Sequence, residues 1–218
     1  MTGVQTCALP IYASLKRLRT DAIDLYLSHW PDPATPYEET LGAYEKLLAK
    51  GKIRYAGCSN LDAGQLRAAL NVASLRSLPR YEVLQPEYNL YDRSSFDGPL
   101  RDLCMAEDIG VITYFSLAKG FLSGKYRGKT DLGQSERGED VASYLNERGM
   151  RILAALDAVS ARHSAKQAEV ALAWVIARPG VTAPIASATK PAQMDSLIKA
   201  VSLKLSADDI AALDRASA

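Results

Sequence analysis

The chain is poor in the residue types that mark several protein classes. Its two histidines rule out a histidine-rich metal centre, and its three cysteines, Cys7, Cys58 and Cys104, are an odd number at no metal-like spacing. Such a set argues against a disulfide framework and suits a reducing cytosol, so the expected location is cytoplasmic. Neither charge is in surplus: 26 basic against 25 acidic side chains leave a formal net charge of +1. That balance gives no electrostatic case for nucleic acid or for an anionic membrane surface as partner. The longest apolar stretch, Val170 to Ala177, falls well short of the about 20 residues needed to span a bilayer. The opening MTGVQTCALPI lacks the basic and apolar regions of a signal peptide. A Gly-x-Gly-x-x-Gly turn is also missing, which argues against a doubly wound dinucleotide fold. What remains, 48% hydrophobic with 23% charged, is the composition of a globular protein with a sizeable core.

What is present is a strand-then-helix alternation. Ile23 to Ser28 is an apolar strand that runs into His29 and stops at Pro31, which puts an ionisable residue at a strand's carboxyl end. Thr35-x-x-Glu38 reads as a capping box for a helix that ends at Gly51, where a left-handed stop is expected. Ile53 to Cys58 is the next strand, and Asp62-x-x-Gln65 opens a helix to about Val72. Tyr81 to Gln85 is a strand, Phe96 to Glu107 a helix broken by Gly110, and Val111 to Phe115 a strand buried on both faces. Leu117 to Asn146 is rich in Gly, Lys, Asp and Ser and reads as a long surface loop. A helix from Glu147 to Arg162, a second opened by Ser164-x-x-Gln167 and running over Ala165 to Arg178, a strand Val181 to Ala186, and helices Pro191 to Val201 and Ala207 to Ala216 complete the chain. Strand starts near positions 23, 53, 81 and 110 recur at about 30 residues, the length of one βα unit. The regularity predicts a parallel α/β fold, best matched by a (β/α)8 TIM barrel of which about five of eight βα units are present.

Four motifs at successive strand ends carry a resemblance. They are Asp21-x-Ile23-Asp24-Leu25-Tyr26-x-x-His29-Trp30-Pro31, Gly51-Lys52-Ile53-Arg54-Tyr55-x-Gly57-x-Ser59-Asn60, Gln85-Pro86-Glu87-Tyr88-Asn89, and Tyr114-x-x-Leu117-Ala118-x-Gly120-x-Leu122-x-Gly124-Lys125-Tyr126. In order and spacing they resemble the aldo-keto reductase family, from about Ser14 to the C-terminus. The resemblance implies an NADP(H)-binding barrel that reduces a small-molecule carbonyl substrate, an aldehyde or ketone, to an alcohol by direct hydride transfer. It assigns His29 to the catalytic set, donating a hydrogen bond to the substrate carbonyl. The family's catalytic Asp, Tyr and Lys fall in the first three βα units, and residues 1 to 22 match none of them. Tyr12 follows no strand and is not the proton donor.

By the same resemblance Ser59, Asn60 and Gln85 hold the nicotinamide carboxamide, whose NH2 and C=O call for both acceptors and donors. Tyr114 is the aromatic on which the nicotinamide stacks. Leu117, Lys119 and Gly120 belong to the loop that crosses the pyrophosphate. Ser187, Thr189, Lys190 and Gln193 stand at a helix N-terminus where the adenosine 2'-phosphate is bound. Many members carry arginine where this chain has Gln193 and asparagine where it has Leu197, which leaves NAD as the alternative to NADP. No metal is implied. Taken singly, each residue has a plainer reading: His29 as a strand-end histidine, Ser59-Asn60 as a turn and cap, Gln85 as a strand terminator before Pro86, Tyr114 as core, Lys190 as a solvated charge. Trp30 and Tyr55 are expected to pack, with Trp30 also a candidate to line a substrate pocket.

Met1 to Ile11 matches neither the family nor a helix and resembles translated sequencing adapter. Residues 1–13 are therefore expected to be a non-native or unassigned segment, and 14–218 the C-terminal part of a single barrel domain. Two function readings follow: a reductase polypeptide that is inactive for want of the Asp, Tyr and Lys, and a noncatalytic NADP(H)-binding or regulatory module. An unrelated barrel hydrolase or lyase would need its own acid-base pair or metal ligands at strand ends. Unpaired strand edges predict a chain that self-associates.

Overall fold

The computed structural model describes residues 4–134 and 138–218. The chain clusters into two units, one of residues up to Pro86 with Gly98–Val111, the other of Glu87–Asp97 with Ile112–Ala218. The first unit holds α1 (Val4–Leu18), β1 (Ile23–Ser28), α2 (Tyr37–Ala49), β2 (Ile53–Ser59), α3 (Ala63–Arg76), β3 (Val83–Gln85), α4 (Pro99–Ala106) and the start of β4 (Gly110–Thr113). The second holds the end of β4, then α5 (Gly138–Val141), α6 (Glu147–His163), α7 (Gln167–Ile176), β5 (Ala183–Pro184), α8 (Pro191–Ser202) and α9 (Ala207–Ser217). All strand pairs are parallel, in the order β1-β2-β3-β4-β5.

In the first unit β2 is the buried strand, with Ile53, Ala56 and Cys58 in the core beside Leu66 and Ala69 of α3 and Leu84 of β3. Gly57 is required there: a Cβ would press on the Leu27 side chain and stand 2.6 Å from the Val83 carbonyl oxygen, a contact the sheet cannot relax. Cys58 and Cys104 are free and buried, and burial raises both thiols, Cys104 to about 12, which leaves them unreactive. The second unit packs Tyr88, Phe96, Phe121, Ile152, Leu153, Leu156 and Val170 into its core. Trp174 lies at its far end, with the Arg93 and Arg178 guanidinium carbons 5.3 and 4.8 Å from its ring centre. Its indole N–H donates to Asp214 of α9 at 2.9 Å, and Arg178 reaches the same carboxylate at 3.0 Å. Two cations, an indole and one carboxylate thus fasten the C-terminal helix.

Several sequence expectations need correction. Met1 to Ile11 does not lie outside a helix: α1 begins at Val4 and buries Ile11 and Leu15, while Met1 to Gly3 are outside the described residues. Thr35 does not cap α2, because its hydroxyl donates to Asp32 at 2.7 Å and Pro36 takes the cap position instead. Gly51 is left-handed as expected, at φ 62°. The strands are shorter than their apolar runs: β3 starts at Val83, β4 spans Gly110–Thr113 because Asp108 at φ 51° turns into it and Phe115 at φ 50° turns out of it, and β5 is Ala183–Pro184. On β4 Val111 and Thr113 are buried, whereas Gly110 and Ile112 are half-buried. Leu117 to Asn146 is not plain loop but a series of 3-10 turns at Ala118–Ser123, Lys129–Gln134 and Ala142–Tyr144 with α5 between, Ser135 to Arg137 lying outside the described residues. Ser164 is the left-handed end of α6, at φ 49°, and α7 is capped instead by the Glu169 carboxylate on the Lys166 backbone N–H at 3.0 Å. Trp30 and Tyr55 are 63% and 58% exposed rather than packed.

Candidate functional site

In the first unit three neighbouring strands end in polar residues. The register pairs Ser28 with Cys58 and Ser59 with Gln85, so His29, Ser59-Asn60 and Gln85 follow one another along the carboxyl edge. Ser59 is 3% exposed, and Gln85 is half-buried. Asn60 leaves β2 in the left-handed conformation at φ 59°, which asparagine tolerates, and its amide donates to the His29 carbonyl oxygen at 2.8 Å. That bond ties the ends of β1 and β2 together. Two residues on, Asp62 and Gln65 form the expected reciprocal cap: the Asp62 carboxylate accepts from Gln65 N–H at 2.8 Å and the Gln65 carbonyl from Asp62 N–H at 2.9 Å. The His29 ring is exposed and stands 5.6 Å from the Trp30 ring.

A cavity of about 460 Å³ reaches from His29 and Trp30 between β1 and α2, lined by Tyr26, Ser28, Tyr44 and Tyr81 among others. Its depth is on the helix side of the strand: Ser28 and Tyr44 hydroxyls are 2.8 Å apart, whereas Leu25 and Leu27 point the other way, toward Gly57. The cavity therefore meets the strand-end row only at its rim.

In the second unit Tyr114 pairs with Glu87 in an isolated parallel bridge, and its carbonyl accepts from Tyr88 N–H at 3.3 Å. Burial, with the Glu87 and Asp92 charges adding to it, raises the Tyr114 phenol and keeps it neutral. Burial and Asp92 also raise Glu87, against the opposing pull of Lys119. Beyond Tyr114 the backbone is left-handed at Phe115, Ala118, Lys119 and Gly120, with φ of 50°, 47°, 56° and 103°. Leu117 precedes this turn as its cap, and the Lys119 ammonium lies 5.4 Å from the Phe115 ring centre. At 103° glycine is needed at position 120, and within the turn Ala118 N–H donates to the Phe115 carbonyl at 2.7 Å and Gly120 N–H to the Leu117 carbonyl at 2.9 Å.

Ser187, Thr189, Lys190 and Gln193 lie around the start of α8 and are all exposed. The Gln193 side-chain oxygen accepts from Thr189 N–H at 2.7 Å, the Thr189 hydroxyl at 3.1 Å and Lys190 N–H at 3.1 Å. A neutral side chain of the protein itself thus occupies donors expected to meet a phosphate. Asn89 is a residue to which the sequence motif assigns no role: it is 0% exposed yet polar.

A hydroxyl and two amides at adjoining strand ends suit a carboxamide, which both donates and accepts. Polar side chains gathered at the carboxyl edge of parallel strands are how barrel-type α/β enzymes build their sites. The chain belongs to the aldo/keto reductase family, whose profile matches residues 6–218, starting ahead of Ser14, from which the resemblance is expected to run. It is 32% identical over 223 residues to Protein tas of Escherichia coli, covering 94% of this chain and 64% of that protein. It is 33% identical over 201 residues to Aldo-keto reductase YhdN of Bacillus subtilis, covering 90% and 58%. The crystal structure of a thermostable aldo-keto reductase, Tm1743, in complex with the inhibitor epalrestat superposes with a TM-score of 0.73 at 30% identity, covering 94% of this chain and 64% of that one. The chain thus spans about three fifths of the length of these relatives. Among the described residues no helix is long and apolar enough to cross a membrane.

Proposed function

We propose that the chain carries the cofactor-binding part of an NADP(H)-dependent reductase of aldehydes and ketones. The observation that carries this reading is the row of Ser59, Asn60 and Gln85 in register at the ends of β2 and β3, a donor and acceptor set that matches a nicotinamide amide. Ser59 and Gln85 bind the amide, and Asn60, anchored on the His29 carbonyl, fixes the position of both strand ends. Tyr114, held neutral, offers its ring face to the nicotinamide. Lys119 and the left-handed turn through Gly120 receive the pyrophosphate. Ser187, Thr189 and Lys190 receive the adenosine end, where Gln193 must first give up its three hydrogen bonds. When bound, NADPH supplies a hydride to a carbonyl carbon. His29 orients the carbonyl oxygen, and the need for a general acid falls on the family's catalytic tyrosine, whose motif residues 1–22 do not match.

This reading treats the polypeptide as part of a longer barrel enzyme, and as inactive by itself. Titration calorimetry tests it. NADPH is expected to bind the wild-type chain, and Gln85→Ala to weaken it by about tenfold, the worth of one well-placed hydrogen bond to a buried polar group. Oxidation of NADPH by an aromatic aldehyde is expected to be slower than in full-length relatives by about 10²–10⁴-fold, the contribution of general acid catalysis. Absence of binding heat with NADPH and with NADH refutes the reading.

A further inference from the structure

Asn89 follows β3 in the second unit, fully buried, and all its polar atoms are used. Its side-chain oxygen accepts from Tyr91 and Asp92 N–H, both at 2.8 Å, which closes the 89–92 turn. Its amide donates to Asp92 Oδ2 at 3.0 Å and to the Phe115 carbonyl oxygen at 3.1 Å. The second bond is the unusual one. Phe115 is the first left-handed residue after β4, a conformation that costs a bulky side chain roughly 1–2 kcal/mol. Its carbonyl accepts from Ala118 N–H at 2.7 Å within the turn, and Asn89 supplies a second donor from outside it. Asp92 is fixed in turn by the Tyr144 hydroxyl, which donates to Oδ2 at 2.9 Å. The neighbouring bonds from Tyr88 N–H to the Tyr114 carbonyl and from the Ser95 hydroxyl to the Glu87 carbonyl hold the same stretch of backbone. Asn89 thereby sits directly behind Tyr114 and at the root of the turn that contains Lys119 and Gly120.

We infer that Asn89 is a positioning residue for the nicotinamide and pyrophosphate half of the cofactor, acting through the Phe115 carbonyl to set the Tyr114 ring and the turn after it. The inference rests on the cofactor reading above. It assigns Asn89 no contact with the ligand. The adenosine end, at the start of α8, receives none of the Asn89 hydrogen bonds, so the two halves of the cofactor respond differently to its loss.

The test is calorimetric titration of the full chain with NADPH and, separately, with 2'-AMP, which carries the adenosine half alone. Asn89→Asp keeps the acceptor for Tyr91 and Asp92 N–H and removes the donors to Phe115 and to Asp92 Oδ2, against which it sets a second carboxylate. It is expected to raise the NADPH Kd by about tenfold or more while the 2'-AMP Kd stays within about twofold. Tyr144→Phe, which deletes one hydroxyl at the edge of the network, serves where Asn89→Asp does not fold, and is expected to give a smaller NADPH loss, about threefold, again sparing 2'-AMP. Equal weakening of both ligands makes Asn89 a purely structural residue and overturns the inference, as does an NADPH Kd unchanged in either variant. A wild-type chain that binds 2'-AMP or nothing, but not NADPH more tightly, overturns the cofactor reading itself and the inference with it.

Discussion

The turn after β2 and the turn after β4 both carry residues that the family assigns to the cofactor, yet they are held by different means. After β2 the reciprocal bonds of Asp62 and Gln65 lie within a few residues of sequence, while the left-handed Asn60 donates to the His29 carbonyl 31 residues earlier. After β4 the backbone is left-handed at Phe115, Ala118, Lys119 and Gly120, and its first carbonyl accepts both from Ala118 N–H three residues on and from the Asn89 amide 26 residues earlier. A turn closed by its own cap forms as soon as its helix does. A bond from another strand end, Asn60 to His29 or Asn89 to Phe115, exists only once the unit has folded, so the geometry it sets is as good as its neighbours. The difference teaches that a turn can owe part of its order to its own residues and part to a distant strand end, in unequal proportion.

Four measurements break or sharpen that contrast, all read as midpoint shifts in urea at constant slope. Asn89→Ala removes all four of its side-chain hydrogen bonds and leaves the Tyr91 and Asp92 N–H groups unpaired, an expected loss of about 3 kcal/mol. A loss no larger than that of a helix cap would erase the distinction. Asp209→Asn should fall between the two types, because Asp209 is both a local cap partner of Ser206 in α9 and the long-range acceptor for Arg162 and His163 of α6. Burial of Asp209 opposes its ionisation, but the bonds from His163, Arg162 and Ser206 outweigh it and hold the carboxyl well below the usual range. The unfolded chain then binds the proton first, so this stabilisation is complete above about pH 4 and drains away as pH falls below it. The variant should show a flatter stability profile in that acid window, and a parallel profile would sink the assignment. Asp62→Ala should cost about 1 kcal/mol, the worth of an N-cap. Arg54→Ala removes an ion pair with Asp24 that is exposed on both sides, 68% and 79%, and should cost less than about 0.5 kcal/mol.

The same division explains what the sequence discloses. Asp62-x-x-Gln65 and Gly51 were legible because their determinants are adjacent. Thr35 carries the same local signature and fails, since its hydroxyl donates back to Asp32 and Pro36 stands at the cap position. Ser164 fails because α6 needs a left-handed end at that position, which shifts the next cap to Lys166 and Glu169. Gly, Lys, Asp and Ser between Leu117 and Asn146 read as loop, yet Phe121, Leu122, Tyr126, Val141 and Tyr144 in that stretch are buried and draw it into short helical turns. Of the candidate site, the strand-end residues were visible from periodicity and motif. The capture of the α8 N-terminus by Gln193 and the bonds of Asn89 were not, because neither amide announces which partner it will choose.

The chain has two tryptophans, and they divide between the two units. Trp30, at the end of β1, is 63% exposed, whereas Trp174 is fully buried between the Arg93 and Arg178 guanidiniums. One indole therefore emits from water and is open to a dissolved quencher. The other emits from a dry, cationic setting that a quencher reaches only after the Trp174 indole lets go of Asp214 of α9. Without any added label, the protein reports on its halves in two colours, and the order in which they come apart can be read from the emission spectrum alone.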